Sequence, residues 1–526
     1  VGVGRRGSRF RLGVMMSLSK LSAGDGFRYL FDQTVSADRR RGRGQSLEEY
    51  YLKSGCPDGV WTGRGVAALG VGGAVSESQM AALFGEGLHP DADRIIAATI
   101  AGGTPASQAI SRARLGRPFY QFQAENGRLA GAFRYELKHA RAVLGRPLDG
   151  GERQMAARRA AHRFLADRSH NSTEATRNTG RQPVAGFDLT FSVPKSFSVA
   201  WACGSPDVQD MIERWHEAAI GEALDYVQDR AVFTRRGPDG VATLDTDGLV
   251  AARFRHWDSR TGDPQLHDHV AVANRVLGQD GKWRTLDGAT LHRWVVAASE
   301  VYNRALADQV HAAGFATRLR DPGSHGQPVV ELAGVDDAQI AVFSSRRAAI
   351  RARTDVLVKN YVGVHGHEPP RSVMYRLRQQ ATLETRVAKK GPQRLDDLRR
   401  QWQGRMATPV RLVRQNSGQV MSVDVAEVAR ATVSVVARQR ATWNRHHIEA
   451  AVNRWACQQP LPVTGDDRAA IIRAAIDDYS LATTPAVTAP VGGGHARRKD
   501  GTSVYVKPDH EVYTCGPVLE AEDRLL

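Results

Sequence analysis

Residues 186–193 alternate without a break: Phe187, Leu189, Phe191 and Val193 are apolar, and Asp188, Thr190 and Ser192 between them are polar. A period of two predicts a strand with one buried and one polar face. The period then changes. Ile212, Trp215, Ala219, Ala223, Leu224 and Val227 recur at helical spacing, which predicts an amphipathic helix over 207–230. Further strands are predicted near 231–235, 250–257 and 266–276. A helix over 297–313 stops before Gly314, a residue suited to a C-cap. Nearer the amino terminus, Met16–Lys20 reads as a strand. Ser22-x-x-Asp25 then reads as a helix start, with Phe27, Leu30, Phe31 and Thr34 on one face. Ser46-x-x-Glu49 opens a short helix that carries Tyr50 and Tyr51. Residues 76–170 read as mixed helices, with one run near 152–167. Several strands followed by flanking helices make an α+β fold with a mainly antiparallel sheet. Beyond about residue 335 the pattern is helical and arginine-rich, and 483–503 reads as a linker.

Composition narrows the partners. At 526 residues the chain is long for one domain and is expected to hold roughly two to four. Lys and Arg total 72 against 56 Asp and Glu, a net charge of +16, which points to an acidic partner such as nucleic acid. A hydrophobic content of 42% supports a buried core and excludes global disorder. No run of about 18 apolar residues occurs, so no membrane-spanning helix is expected. Cys56, Cys203, Cys457 and Cys515 form no CxxC pair, which argues against a zinc ribbon or disulfide scaffold and for a reducing cytosol. No GxxxxGK[ST] motif is present, so no ATP site is expected. Residues 1–14 are Gly/Arg-rich and lack the apolar core of a secretory signal. They read as a disordered extension upstream of the true start.

The sharpest chemical pattern is His256, then ten residues, then His267-Asp-His269. Two residues apart on a strand, His267 and His269 share one face. Gly262-Asp263-Pro264 is a turn signal that folds the chain back, so His256 can meet the pair from a neighbouring antiparallel strand. Three imidazoles suit a catalytic divalent metal with open positions; solvent-facing histidines are the alternative. Asp188, on the polar face of its strand, is either an exposed carboxylate or an acceptor that orients a histidine or takes a proton. Tyr29 falls roughly opposite the apolar face of its helix, as a nucleophile or as a surface tyrosine. Tyr50 and Tyr51 are about 100° apart on a helix, so one of them at most faces a given site. Arginine pairs recur at Arg158-Arg159, Arg235-Arg236, Arg346-Arg347 and Arg399-Arg400, and forked phosphate contact or simple genomic bias accounts for them.

Taken together, these motifs resemble the MobF family of conjugative relaxases, the TrwC/TraI type. Gly186-Phe-Asp-Leu-Thr-Phe-Ser-Val-Pro-Lys-Ser196 and Asp263-Pro-Gln-Leu-His-Asp-His-Val-Ala-Val-Ala-Asn274 carry the likeness. Leu18-Ser-Lys-Leu21, Phe27-Arg-Tyr29-Leu30, Tyr50-Tyr51, Leu332-Ala-Gly-Val335 and Phe343-Ser-Ser-Arg346 extend it. The resemblance implies an HUH endonuclease with a palm-like antiparallel sheet. Such an enzyme nicks one DNA strand at a plasmid transfer origin through a 5′-phosphotyrosyl intermediate. By position, Tyr29 corresponds to the first nucleophile, Tyr50 or Tyr51 to the second, and Asp188 to the assisting acid. His256, His267 and His269 correspond to the ligands of a divalent metal (Mg²⁺, Mn²⁺ or Zn²⁺).

The resemblance also implies single-stranded or locally melted DNA as substrate, accessory transfer proteins and a coupling protein as partners, and a bacterial cytoplasmic setting. Lys195, Arg235, Arg236, Trp257 and Arg260 are the expected DNA contacts, Trp257 by stacking on bases. The expected organisation is a relaxase domain over 15–335, a helical DNA-clamping extension over 336–424, and over 425–526 a truncated lead-in to a helicase domain. A rolling-circle replication initiator and a non-catalytic DNA-binding remnant are the competing readings. Amino-terminal tyrosines that precede the histidines favour the relaxase over the initiator.

Overall fold

The structure, a computed structural model, describes residues 15–32, 58–119, 136, 139–140, 183–321, 327–387, 394–415, 420–484 and 497–525. Tyr50, Tyr51 and the helical run near 152–167 lie outside them. Seven strands frame the site: β1 (Met16–Ser22), β2 (Val60–Thr62), β3 (Val184–Ser192), β4 (Phe233–Arg236), β5 (Ala242–Asp245), β6 (Ala251–Asp258) and β7 (Pro264–Ala273). Five of them form one antiparallel sheet in the order β1-β3-β7-β6-β2, and β4 and β5 form a separate hairpin. This is the expected α+β architecture with a helical carboxy-terminal part.

Alternation decides what each face of the sheet meets. Phe187, Leu189 and Phe191 of β3 lie beside Val272, Val270 and Asp268 of β7. That face packs on two long helices, α3 (Pro206–Ala231) and α4 (Gly288–Ala312). Phe191 meets Tyr302 of α4 at a ring separation of 5.3 Å, and the Met16 N–H donates to Ser299 Oγ at 3.1 Å. Ser205 caps α3, with Pro206 in its first turn, where a missing N–H costs nothing. Helix α4 begins at Gly288, nine residues before its periodicity suggests, because Asp287 accepts the Ala289 N–H at 3.2 Å as N-cap. It ends as expected: Gly314 takes a φ of 73°, which a glycine adopts without strain.

The opposite face carries Asp188, Thr190 and Ser192, then His269 and His267, then Phe254 and His256. It is covered, not open to solvent. The segment over it is a 3₁₀ turn at Asp25–Phe27 followed by a single-turn helix, α1 (Tyr29–Asp32), with Phe27, Leu30 and Phe31 buried.

Helix α2 (Lys195–Cys203) follows β3 directly. Farther along come α5 (Ser345–His365), α6 (Arg371–Glu384), α7 (Leu395–Arg405) and α8 (Arg445–Cys457). Helix α8 packs on α4 and is tied there by Arg454 on Glu300. It also contributes Ile448 and Val452 to a second small core with Val433, Trp443 and Ile471. Residues 497–503 are a correction to the linker reading. Arg498 is buried against the β4–β5 hairpin, the Lys499 N–H donates to Asp245 Oδ2 at 2.6 Å, and the neighbouring Val504 packs on Ala242 and Leu244.

Candidate metal and nucleophile site

The β6–β7 hairpin places the three histidines. His256 is the cross-strand partner of His267, and Phe254 is the partner of His269. Gly262, at a φ of 77°, supplies the reversal between the strands. The three rings are buried, with centroids 5.0–5.3 Å apart, and their candidate ligand atoms lie within 4.8 Å of one another. Each ring has one nitrogen on an oxygen: His256 Nε2 lies 3.1 Å from the Leu30 carbonyl, His267 Nδ1 2.8 Å from the Gln265 carbonyl, and His269 Nδ1 2.9 Å from Asp188 Oδ2. A carbonyl or carboxylate partner holds the N–H there, so the other ring nitrogen carries the lone pair that a metal requires. The donor set therefore fits a divalent cation, with room for exogenous ligands beside three protein nitrogens.

Asp188 is the hinge of the site. It is 3% exposed, and both of its oxygens lie within 3.0 Å of His269 Nδ1. The same carboxylate accepts the Tyr29 hydroxyl. Burial, then the charge of Asp188 and its hydrogen bond, push the Tyr29 phenol well above its ordinary range. The resting tyrosine is thus a neutral phenol whose proton already points at an acceptor. Thr190, two residues along the same strand face, sits 3.3 Å from Asp188 Oδ2 and 3.2 Å from His269 Nδ1 through Oγ1. Tyr29 is half-buried and packs edge-on to His269 at 5.9 Å, not on the surface. A helical wheel drawn from Phe27 misplaces it, because the chain turns as 3₁₀ before the single α turn begins.

The model of the TrwC relaxase family matches residues 23–408, which contain every one of these groups. The chain belongs to the TrwC relaxase family. It is 37% identical over 176 residues to the multifunctional conjugation protein TraI of Escherichia coli, and 36% identical to that of strain K12. Those matches cover 32% of this chain and span 9% of the length of TraI. Among solved structures, it is similar to the conjugative relaxase TrwC in complex with oriT DNA in metal-bound form, at 22% identity and a TM-score of 0.44. It is similar also to TrwC complexed with a 27-mer DNA comprising the recognition hairpin and the cleavage site, at 22% and 0.43. Both cover 74% of this chain and 97% of the other.

In this TrwC-family chain, Tyr29, Asp188, His256, His267 and His269 come together, while the expected DNA contacts scatter. Trp257 is a correction. It is 5% exposed within the main core, because a strand neighbour of an inward-facing histidine points to the other side of the sheet. Lys195 is half-buried at the start of α2, and its ammonium donates to the Pro264 carbonyl at 2.6 Å. Burial brings that ammonium down to about 8. Arg235 and Arg236 lie on the separate β4–β5 hairpin, partly exposed, 3.9 Å from Asp287 and 3.8 Å from Asp280. Arg260 sits in the β6–β7 turn. Thr190 escaped the sequence reading, although its i+2 relation to Asp188 was the signal that would have found it.

Proposed function

We propose that this chain nicks one strand of DNA at a transfer origin and hands the strand on through a covalent intermediate. In this reading Tyr29 Oη attacks the scissile phosphorus, the Tyr29 O–P bond forms, and the P–O3′ bond breaks. Asp188 takes the phenolic proton as the attack proceeds, and the departing 3′ oxygen leaves as a hydroxyl after protonation. The phosphotyrosyl ester keeps the energy of the broken bond, so rejoining needs no nucleotide. His256, His267 and His269 would hold a divalent cation, which would supply Lewis-acid charge to a phosphate oxygen. By donor softness the three imidazoles favour Zn²⁺ or another transition metal over Mg²⁺. Tyr50 or Tyr51 would serve as the second nucleophile. The substrate would be single-stranded or locally melted DNA, brought by accessory transfer proteins in the bacterial cytoplasm.

The observation that carries this reading is the double role of Asp188, which meets the Tyr29 hydroxyl and the His269 ring together. A surface tyrosine or a purely structural triad has no need of that bridge. The test is a labelled single strand bearing the origin, incubated with protein and a divalent metal. A denaturant-stable DNA–protein adduct should form with the wild type and vanish in Tyr29→Phe. Equal adduct in both would move the nucleophile elsewhere.

A further inference from the structure

The turn between β6 and β7 is held more heavily than a turn requires. Its own closure is local: the Ser259 N–H donates to the Asp263 carbonyl at 2.9 Å, and the Asp263 N–H to Ser259 Oγ at 3.2 Å. The Asp263 side chain, 2% exposed, reaches much farther. Its Oδ2 accepts the Ser345 N–H at 2.9 Å, and its Oδ1 accepts Ser345 Oγ at 3.0 Å, at the first residue of α5. Arg405, the last residue of α7, donates to Oδ1 through both terminal nitrogens at 3.2 Å. Thr261 Oγ1 adds a contact at 3.3 Å, and Trp402 Nε1 of α7 donates to the Gly262 carbonyl at 2.8 Å. One buried carboxylate thus joins the histidine-bearing hairpin to two helices from far along the chain.

The same contacts place charge. Arg260 lies in the turn, and Arg346 follows Ser345. Arg353, about two turns along α5 from Arg346, pairs with Glu384 at 2.5 Å and so lays the end of α6, with Arg386, beside the start of α5. Burial and then the charges of Arg386 and Arg346 hold the Arg260 guanidinium below its ordinary range; burial and then Arg386 do the same to Arg346. Like charges gathered in this way repel one another until an anion joins them, and the guanidinium fork suits phosphate.

We propose that Asp263 is a positioning residue. It latches the α5–α6 pair onto the β6–β7 hairpin and so assembles Arg260, Arg346 and Arg386 into a grip for backbone phosphates of the strand that reaches Tyr29. The identity of those phosphates rests on the nicking reading above.

The test is binding of the full chain to a fluorescein-labelled single-stranded oligothymidylate across a series of salt concentrations. On single strands each phosphate contact adds about 0.7 to the slope of log affinity against log salt. Arg346→Ala and Arg386→Ala should each lower the slope by about 0.7. Asp263→Ala should lower it by about 1.4, because both arginines leave together. In the Arg346→Ala/Arg386→Ala background it should lower the slope no further. Asp263→Asn, which keeps an acceptor for the Ser345 N–H, should recover most of the loss. A wild-type slope in Asp263→Ala overturns the proposal, and so does a full further loss in the double-variant background. Unchanged slopes in both arginine variants overturn it even where Asp263→Ala does not fold. If the wild type forms no Tyr29 adduct on origin DNA while the slope pattern holds, the nicking reading fails and the grip stands.

Discussion

The two faces of strand β7 use neighbouring residues for opposite ends. On one face, His267 and His269 converge with His256, each ring anchored through one nitrogen by an oxygen. On the other, Asp268 is fully buried and surrounded by side-chain nitrogens. Arg255 donates to its two oxygens at 3.1 and 3.4 Å, Arg253 approaches to 3.6 Å, and His216 Nε2 lies 3.2 Å away. His216 continues to the Tyr302 hydroxyl at 2.8 Å. The back network sets the Asp268 carboxylate against the Arg253 and Arg255 guanidinium groups inside the fold. The front set brings three imidazole nitrogens within 4.8 Å of one another, a donor set that suits an added cation. A polar cluster that balances internally serves structure, and one that converges on donors of a single kind is arranged for a ligand.

Substitutions that separate metal binding from stability test this contrast. His267→Ala should have the largest effect: adduct formation falls by at least about 10³-fold, and metal affinity measured by calorimetric titration falls by at least about 100-fold. The metal-free melting temperature should stay near that of the wild type. Asp268→Ala should do the reverse. Removing one partner of a buried ion pair costs about 3–5 kcal/mol, read by urea unfolding. If Asp268→Ala loses metal as severely as His267→Ala in its folded fraction, the two faces are not separable. The sign with pH is also set. Burial pushes the Asp268 carboxyl up, but His216 and Arg255 outweigh it and hold the group well below its ordinary range. Its stabilisation is therefore present above about pH 4 and is lost as pH falls below that, so Asp268→Ala should flatten the acid limb of the stability curve.

Asp188→Asn should fall between these two. Asparagine cannot take the phenolic proton, so single-turnover nicking is expected to slow by about 10²-fold or more. Metal affinity should weaken by about tenfold, since an amide oxygen holds the His269 N–H less firmly. Affinity for single-stranded DNA should hold. Unchanged single-turnover rates would reduce Asp188 to a bystander of the Tyr29 hydroxyl.

Much of the front face was legible in the chain. Alternation over 186–193 gave both the strand and its polar side, and the two-residue spacing of His267 and His269 gave a shared face. The Gly262-Asp263-Pro264 turn brought His256 opposite them. What escaped reading depends on partners distant in sequence. Asp188 looks solvent-exposed until the segment around Leu30 folds over it. Asp263 reads as a turn residue, yet its side chain bonds Ser345, 82 residues later. Asp268 is an ordinary acid in a motif until Arg255 and His216 surround it. Local periodicity reports which way a side chain points; it is silent about what arrives to meet it.

The smallest expected effects give the finest test of the contrast. Thr190 and Tyr302 each supply one hydroxyl, the first to the front set and the second to the back. Thr190→Val is nearly isosteric and removes a hydroxyl at 3.3 Å from Asp188 Oδ2 and 3.2 Å from His269 Nδ1. Both groups keep each other as partners at 2.9 Å, so no buried polar atom is stranded. The cost should be at most about 1 kcal/mol, appearing as a two- to fivefold slower nicking rate with little change in melting temperature. Tyr302→Phe instead deprives buried His216 Nδ1 of its 2.8 Å partner. Leaving that nitrogen unsatisfied should cost about 1–3 kcal/mol of stability, with the nicking rate unchanged. A nicking loss beyond about 100-fold in Thr190→Val would move Thr190 into the proton path, since a hydrogen bond of that length is worth far less than the roughly 2.7 kcal/mol such a loss represents. A comparable rate loss in Tyr302→Phe would show that the back network sets the geometry of the front.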